Sequence, residues 1–158
     1  MPLIDMPLDA LMTYQGRNPR PADFDEYWDT ALAEMRAIDP QVELRPAGFS
    51  VPGAECFDLY FTGVCGARIH AKYVRPAGAT GPLATVVQFH GYSGSAGDWH
   101  DKLSYAATGH CIAALDCRGQ AGQSEDVGGV KGNTLRGHII RGLDDGPNSL
   151  LFRHIYLD

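Results

Sequence analysis

A chain of 158 residues with 44% hydrophobic content is long enough for one ordinary domain and shows no bias toward disorder or a coiled coil. Its formal net charge of −6 and pI near 5.4, with no cluster of Lys and Arg, argue against nucleic acid and an anionic membrane surface as partners, because phosphates would find no counter-charge. The N-terminus has no basic start and no apolar run approaches the ~20 residues of a membrane span, so the chain reads as soluble and cytoplasmic.

Residues 1–20 carry Pro2, Pro7, Gly16 and Pro19 and are expected to run as an extended N-terminal arm rather than regular structure. A helix is expected over 21–37. Phe24, Tyr27, Trp28, Ala31, Leu32 and Met35 recur at helical spacing, Pro21 falls near the first turn, and Asp23, Asp25 and Glu26 face the positive end of the helix dipole. Residues 42–158 are expected to hold a sheet, its helices and the site loops.

Three strand candidates come next, Val42 to Phe49, Cys56 to Phe61 and Arg68 to Val74, separated by Pro52-Gly53 and by Gly63-Val64-Cys65-Gly66. Pro46 confines the first to a sheet edge. Links this short favour antiparallel neighbours, since a parallel crossover needs a dozen or more residues. Val86, Val87 and Phe89 suit a buried strand ending at Phe89, where Gly91 and Gly94 allow the chain to turn sharply. A helix candidate around Asp98 to Ala107 and an apolar run from His110 to Leu115, ending at Asp116, complete a βαβ unit whose strands should be parallel and buried on both faces.

Residues 117–148 read as loop, with glycines at 119, 122, 128, 129, 132, 137, 142 and 146, and loops of that length in a compact domain are usually functional. Asn148 or Ser149 is the expected cap of a last helix through Leu150, Leu151, Phe152, Ile155 and Tyr156. Cys56, Cys65, Cys111 and Cys117 form no CxxC pair and lie in or beside predicted strands, so buried free thiols are expected.

The familiar catalytic motifs are missing. G-x-S-x-G, whose strained turn presents a serine nucleophile, is matched neither by Gly91-Tyr92-Ser93-Gly94-Ser95 nor by the segment around Ser124, so Ser93 reads as a turn serine. The glycines at 91, 94 and 97 do not make G-x-G-x-x-G, and Lys131 is not set in a phosphate-binding loop. His70, His90, His100, His110, His138 and His154 are scattered, without the close pair of a metal site on one helix or turn.

Four blocks do occur in a recognisable order: Phe89-His90-Gly91-Tyr92-Ser93-Gly94 with Asp98-Trp99, then Asp116-Cys117-Arg118-Gly119-Gln120, then Gly137-His138-Ile139-Ile140-Arg141-Gly142-Leu143-Asp144-Asp145, then Arg153-His154-Ile155-Tyr156-Leu157-Asp158. Together with Phe24 to Trp28 they resemble the acetyl xylan esterase and cephalosporin C deacetylase family over nearly the whole chain. Phe152 replaces a usual tyrosine and Ala121 a frequent glycine.

The resemblance implies an α/β fold, the N-terminal portion of an α/β-hydrolase sheet. It also implies a Ser-Asp-His triad that removes acetyl groups from xylo-oligosaccharides, cephalosporin C and similar small esters, with no cofactor and no metal. By position, the backbone NH of Tyr92 is implied as one oxyanion-hole donor, with His90, Gly91, Arg118, Gly119 and Gln120 supporting the site. Family members imply a cytoplasmic homo-oligomer, a hexamer. In this fold the triad follows the helix that begins near Asn148, so all three members are expected beyond Asp158 and the isolated chain is expected to be nearly inert.

Loss of the neighbouring nucleophile strand and later helices should leave Val86, Val87, Ile112 and Leu115 short of partners and the chain poorly soluble, partly folded or dependent on a partner fragment. Two other readings stand beside it: a binding or interaction module, namely a non-catalytic product that binds the family's oligomer or a ligand through its retained surface, and a metal-dependent hydrolase using His90, His100 and His110.

Overall fold

The computed structural model describes residues 5–127 and 140–158. Lys131, the glycines at 128, 129, 132 and 137, and the block positions Gly137, His138 and Ile139 fall outside the described residues. The N-terminal arm contains regular structure after all, a short helix α1 (Leu8–Thr13). Pro7 stands just before its first turn, and Leu8-Asp9-Ala10-Leu11-Met12 holds good helix formers with neither Gly nor Pro, which the prolines around it obscured. None of its residues is buried.

The amphipathic segment forms α2 (Phe24–Arg36), with Asp23 at its N-cap position but no side-chain cap bond. Three strands follow as a meander: β1 (Glu43–Pro46), β2 (Ala54–Thr62) and β3 (Arg68–Pro76). The βαβ unit is β4 (Thr85–Phe89), α3 (His100–Ala107) and β5 (Cys111–Asp116). Among the described residues these strands make one sheet in the order β1-β2-β3-β5-β4. β1, β2, β3 and β5 pair antiparallel in turn, and β4 lies parallel to β5. β1 is shorter than its predicted run and lies at the sheet edge as Pro46 requires, with Ala47 N–H adding one more bond to Cys56 O at 2.9 Å.

Strand alternation sorts the side chains into two faces. Cys56, Val74 and Ile112 point to one face, where Ala106 and Leu103 of α3 and Trp99 cover them. Leu59, Ile69, Ala71 and Leu115 point to the other, against Ile155 of α4 (Leu151–Leu157). Behind α4, Ala31, Val64 and Leu157 form a smaller cluster with Trp28 and Leu32 of α2. Arg153 ties the two helices by pairing with Glu34.

Four expectations change at the level of side chains. β4 is not the strand buried on both faces that its composition suggests but the bared apolar edge expected with Val86 and Val87 short of partners: it is paired on one side only, and Val86, Val87 and Phe89 are 36%, 59% and 66% exposed. Ile112 and Leu115, by contrast, are buried, since β3 and the covering helices pack against them. The cap of α4 is Leu150 without a side-chain bond, because Pro147, Asn148 and Ser149 form a separate tight 3-10 turn. Cys65 is exposed in a turn at φ 57°, whereas Cys56, Cys111 and Cys117 are buried free thiols as read.

The exposed β4 edge carries a first prediction. Lysines at Val87 and Phe89 should reduce self-association of the chain in sedimentation velocity while leaving its unfolding free energy within about 0.5 kcal/mol. Unchanged association would mean that β4 is not the sticky edge.

Candidate active site

β4 and β5 run parallel and side by side, so the loops leaving Phe89 and Asp116 emerge together at the carboxyl end of the sheet, the place where open α/β sheets bind ligands. The first loop is a tight turn. Gly94 N–H donates to Gly91 O at 3.0 Å, and Ser93 sits at φ 62°. A Cβ on Gly94 would press against Gly91 O at 2.9 Å and His90 Nδ1 at 3.1 Å, so this glycine is required by close approach. Gly91 has open space where a Cβ would go and an ordinary φ, so the sharpness of the turn rests on Gly94 and not on both glycines.

His90 fastens the two loops together. Its Nε2 accepts from Cys117 N–H at 2.9 Å and its Nδ1 lies 2.7 Å from Gly91 O. A backbone donor on one side and a carbonyl acceptor on the other fix the neutral Nδ1–H tautomer. Gln120 makes a second tie, because its Oε1 accepts from Ser93 N–H at 2.7 Å. Gly119 provides the left-handed bend, φ 64°, that brings Gln120 back toward the turn.

Arg118 points the other way, into the protein. It is fully buried, donates from Nε to Asp158 Oδ2 at 2.6 Å and from Nη2 to the other oxygen of that carboxylate, and gives Val64 O a bond of 2.9 Å. Asp126 accepts from its Nη1 at 3.4 Å. Burial pushes the Asp158 carboxyl above the usual carboxylate range despite the opposing pull of Arg118 and the Val64 N–H. Sequence reading gave Asp158 no role. Its partner lies 40 residues away, and only the fold brings the two together.

On the face opposite α3 lies a cavity of about 610 Å³. Its floor is the outward side of the sheet, including Leu59, Ala71, Val87 and Leu115, and its wall is Phe152, Ile155 and Tyr156 of α4. His90, Tyr92 and Gln120 line it as well. The volume and mainly apolar lining with a few polar groups are those of a small-molecule site. Cys117 also faces it, but burial, then the charges of Asp158 and Asp116, push its thiol up, which disfavours the reactive thiolate.

The structure thus brings together His90, Gly91, Tyr92, Arg118, Gly119 and Gln120 at one end of the sheet. The three histidines of the metal-hydrolase reading are engaged separately: His90 as above, His100 with Asp101 at 2.8 Å, His110 with Thr108 O at 3.0 Å. Among the described residues no group of three or more His, Cys, Asp and Glu is arranged to hold a metal ion, and no helix is long and apolar enough to cross a membrane.

Residues 1–158 match the family described as acetyl xylan esterase. An acetyl xylan esterase from Thermoanaerobacterium sp. superposes with a TM-score of 0.87 at 61% identity, over 98% of this chain and 48% of that one. An acetyl xylan esterase from Paenibacillus sp. superposes with a TM-score of 0.83 at 30% identity, over 97% of this chain and 49% of that one. The chain therefore spans about half the length of these solved relatives. By its sequence match along the whole chain and by its fold, this chain belongs to the acetyl xylan esterase family.

Proposed function

We propose that this chain forms the entrance half of a carboxylic ester hydrolase site that removes acetyl groups from xylo-oligosaccharides, cephalosporin C and similar small esters. The observation that carries the reading is the His90–Gly94 turn, tied to Cys117 and Gln120 and set at the rim of the 610 Å³ cavity. In this proposal Tyr92 N–H donates to the oxygen that becomes negative when the acetyl carbonyl is attacked, and His90, Gly91, Arg118, Gly119 and Gln120 hold that donor in place.

A Ser-His-Asp triad contributed by sequence equivalent to the relatives' second half would complete the site. The serine oxygen attacks the acetyl carbon, its proton passes to the histidine, and the alcohol leaves with that proton. Water then releases acetate from the acyl-enzyme. The mechanism needs no organic cofactor and no metal. A cytoplasmic homo-oligomer, a hexamer, belongs to the same proposal, and analytical ultracentrifugation reads its size.

The test is hydrolysis of a chromogenic acetate by residues 1–158 and by a version extended to the relatives' length. The extended protein should be faster by several orders of magnitude, since the triad and the oxyanion donors act as a unit. Equal rates would remove the proposal and favour a binding module.

A further inference from the structure

The turn and the Arg118 loop share a third anchor besides His90 and Gln120. Asp116, the last residue of β5, is 2% exposed, and each of its carboxylate oxygens is engaged. Oδ1 accepts from Ala96 N–H, at the far end of the turn. Oδ2 accepts from Gln123 N–H at 2.8 Å, at the far end of the Arg118 loop. The same oxygen lies 2.7 Å from His70 Nδ1, and His70 Nε2 lies 2.8 Å from Asp58 Oδ1.

Strand register explains the line of three. His70 is directly opposite Asp116 across the β3–β5 pair, and Asp58 lies diagonally across the β2–β3 pair on the same face. Two further contacts close the cluster. Ser124 Oγ accepts from His70 N–H at 2.8 Å and donates to Asp116 O, while Tyr60 hydroxyl donates to Gln123 Oε1 at 3.2 Å. Room for this packing depends on Gly122, where a Cβ would overlap the Asp116 carboxyl group. Burial favours the neutral acid at Asp116, but the bonds from His70, Gln123 and Ala96 outweigh it and hold the carboxyl below the usual range.

We propose that Asp116 is a positioning residue for the reaction. Its two oxygens hold the oxyanion turn and the Arg118 loop at a fixed separation, and His70, braced by Asp58, keeps the carboxylate from rotating. The inference rests on the esterase reading for its consequence, though not for the clamp itself. An asparagine at this position cannot accept from Ala96, Gln123 and His70 together, because its NH₂ accepts nothing. The turn then keeps only its ties through His90 and Gln120 and shifts relative to an attacked carbonyl, and drift of about 1 Å at such a donor costs about a hundredfold in rate.

The experiment compares wild type, Asp116→Asn and Gly122→Ala in the protein of the relatives' length. Gly122→Ala displaces the same carboxylate without removing a polar group. In both variants kcat for a chromogenic acetate should fall by about tenfold to a hundredfold while KM changes by less than about threefold. Exchange of the Ala96 and Gln123 amide hydrogens, followed by NMR without substrate, should accelerate by about tenfold or more.

A folded Asp116→Asn variant with wild-type kcat, or with unchanged exchange at both amides, overturns the proposal. So does a loss of activity confined to KM. If the amides accelerate but the wild type itself hydrolyses no ester, the clamp stands and the esterase reading falls.

Discussion

Replacing Arg118 by Met is expected to lower the unfolding free energy by about 3–5 kcal/mol, because it strands Asp158 as a buried carboxylate without its cation, whereas Asp126 keeps its pair with Arg141. Arg118→Lys should recover only part of the loss. A single ammonium cannot reproduce the forked contact with both oxygens of Asp158 while also reaching Val64 O. Urea unfolding followed by circular dichroism measures both.

The pH dependence separates this account from simple loss of packing. Asp158 in the folded protein already holds its proton more tightly than an ordinary carboxyl, burial outweighing Arg118. A group shifted in that direction favours the fold most below its unfolded pKa, and that contribution is lost as pH rises through the folded value. Removing Arg118 raises the folded value further. The deficit of Arg118→Met against wild type should therefore be larger at pH 7 than at pH 5. A deficit that does not change over that interval would point to lost van der Waals contact instead.

Local patterns made the architecture readable, and long-range pairing limited the reading of the site. The meander was visible because the links around Pro52-Gly53 and Gly63-Gly66 are too short for anything but antiparallel neighbours, and the parallel β4–β5 pair because a helix separates its strands. His70 was not legible as a bridge. A histidine between Ile69 and Ala71 fits either face of a strand, and only the register opposite Asp116 gives it two carboxylates.

The family resemblance implies that Arg118 supports the site. Its side chain in fact turns inward to Asp158, and the contact between this loop and the Ser93 turn is made by Gln120 instead. For β4 the residue types alone mislead, whereas the expectation that Val86 and Val87 lack partners agrees with their exposure. Val86, Val87 and Phe89 have the composition of a covered strand, and composition records what a surface needs rather than what covers it in this chain.

Gly63→Ala should act on the same ion pair from the opposite side. Gly63 has an ordinary extended conformation, so alanine brings no backbone strain there. Its Cβ, however, would lie 2.8 Å from Ile69 Cγ1 and overlap Asp158 Oδ1, an oxygen already fixed by Arg118 and by Val64 N–H at 3.2 Å. Ile69 is fully buried and cannot yield, so the carboxylate must move off its partners.

Overpacking of this kind costs about 1–3 kcal/mol, and displacement of the ion pair should place Gly63→Ala at the upper end. Because both substitutions break one contact, Gly63→Ala with Arg118→Met should destabilise by about 1–3 kcal/mol less than the sum of the two single changes. Additive losses in that double-mutant cycle would assign the effect of Gly63→Ala to its clash with Ile69. The Arg118–Asp158 pair would then have no part in how the turn before Val64 is held.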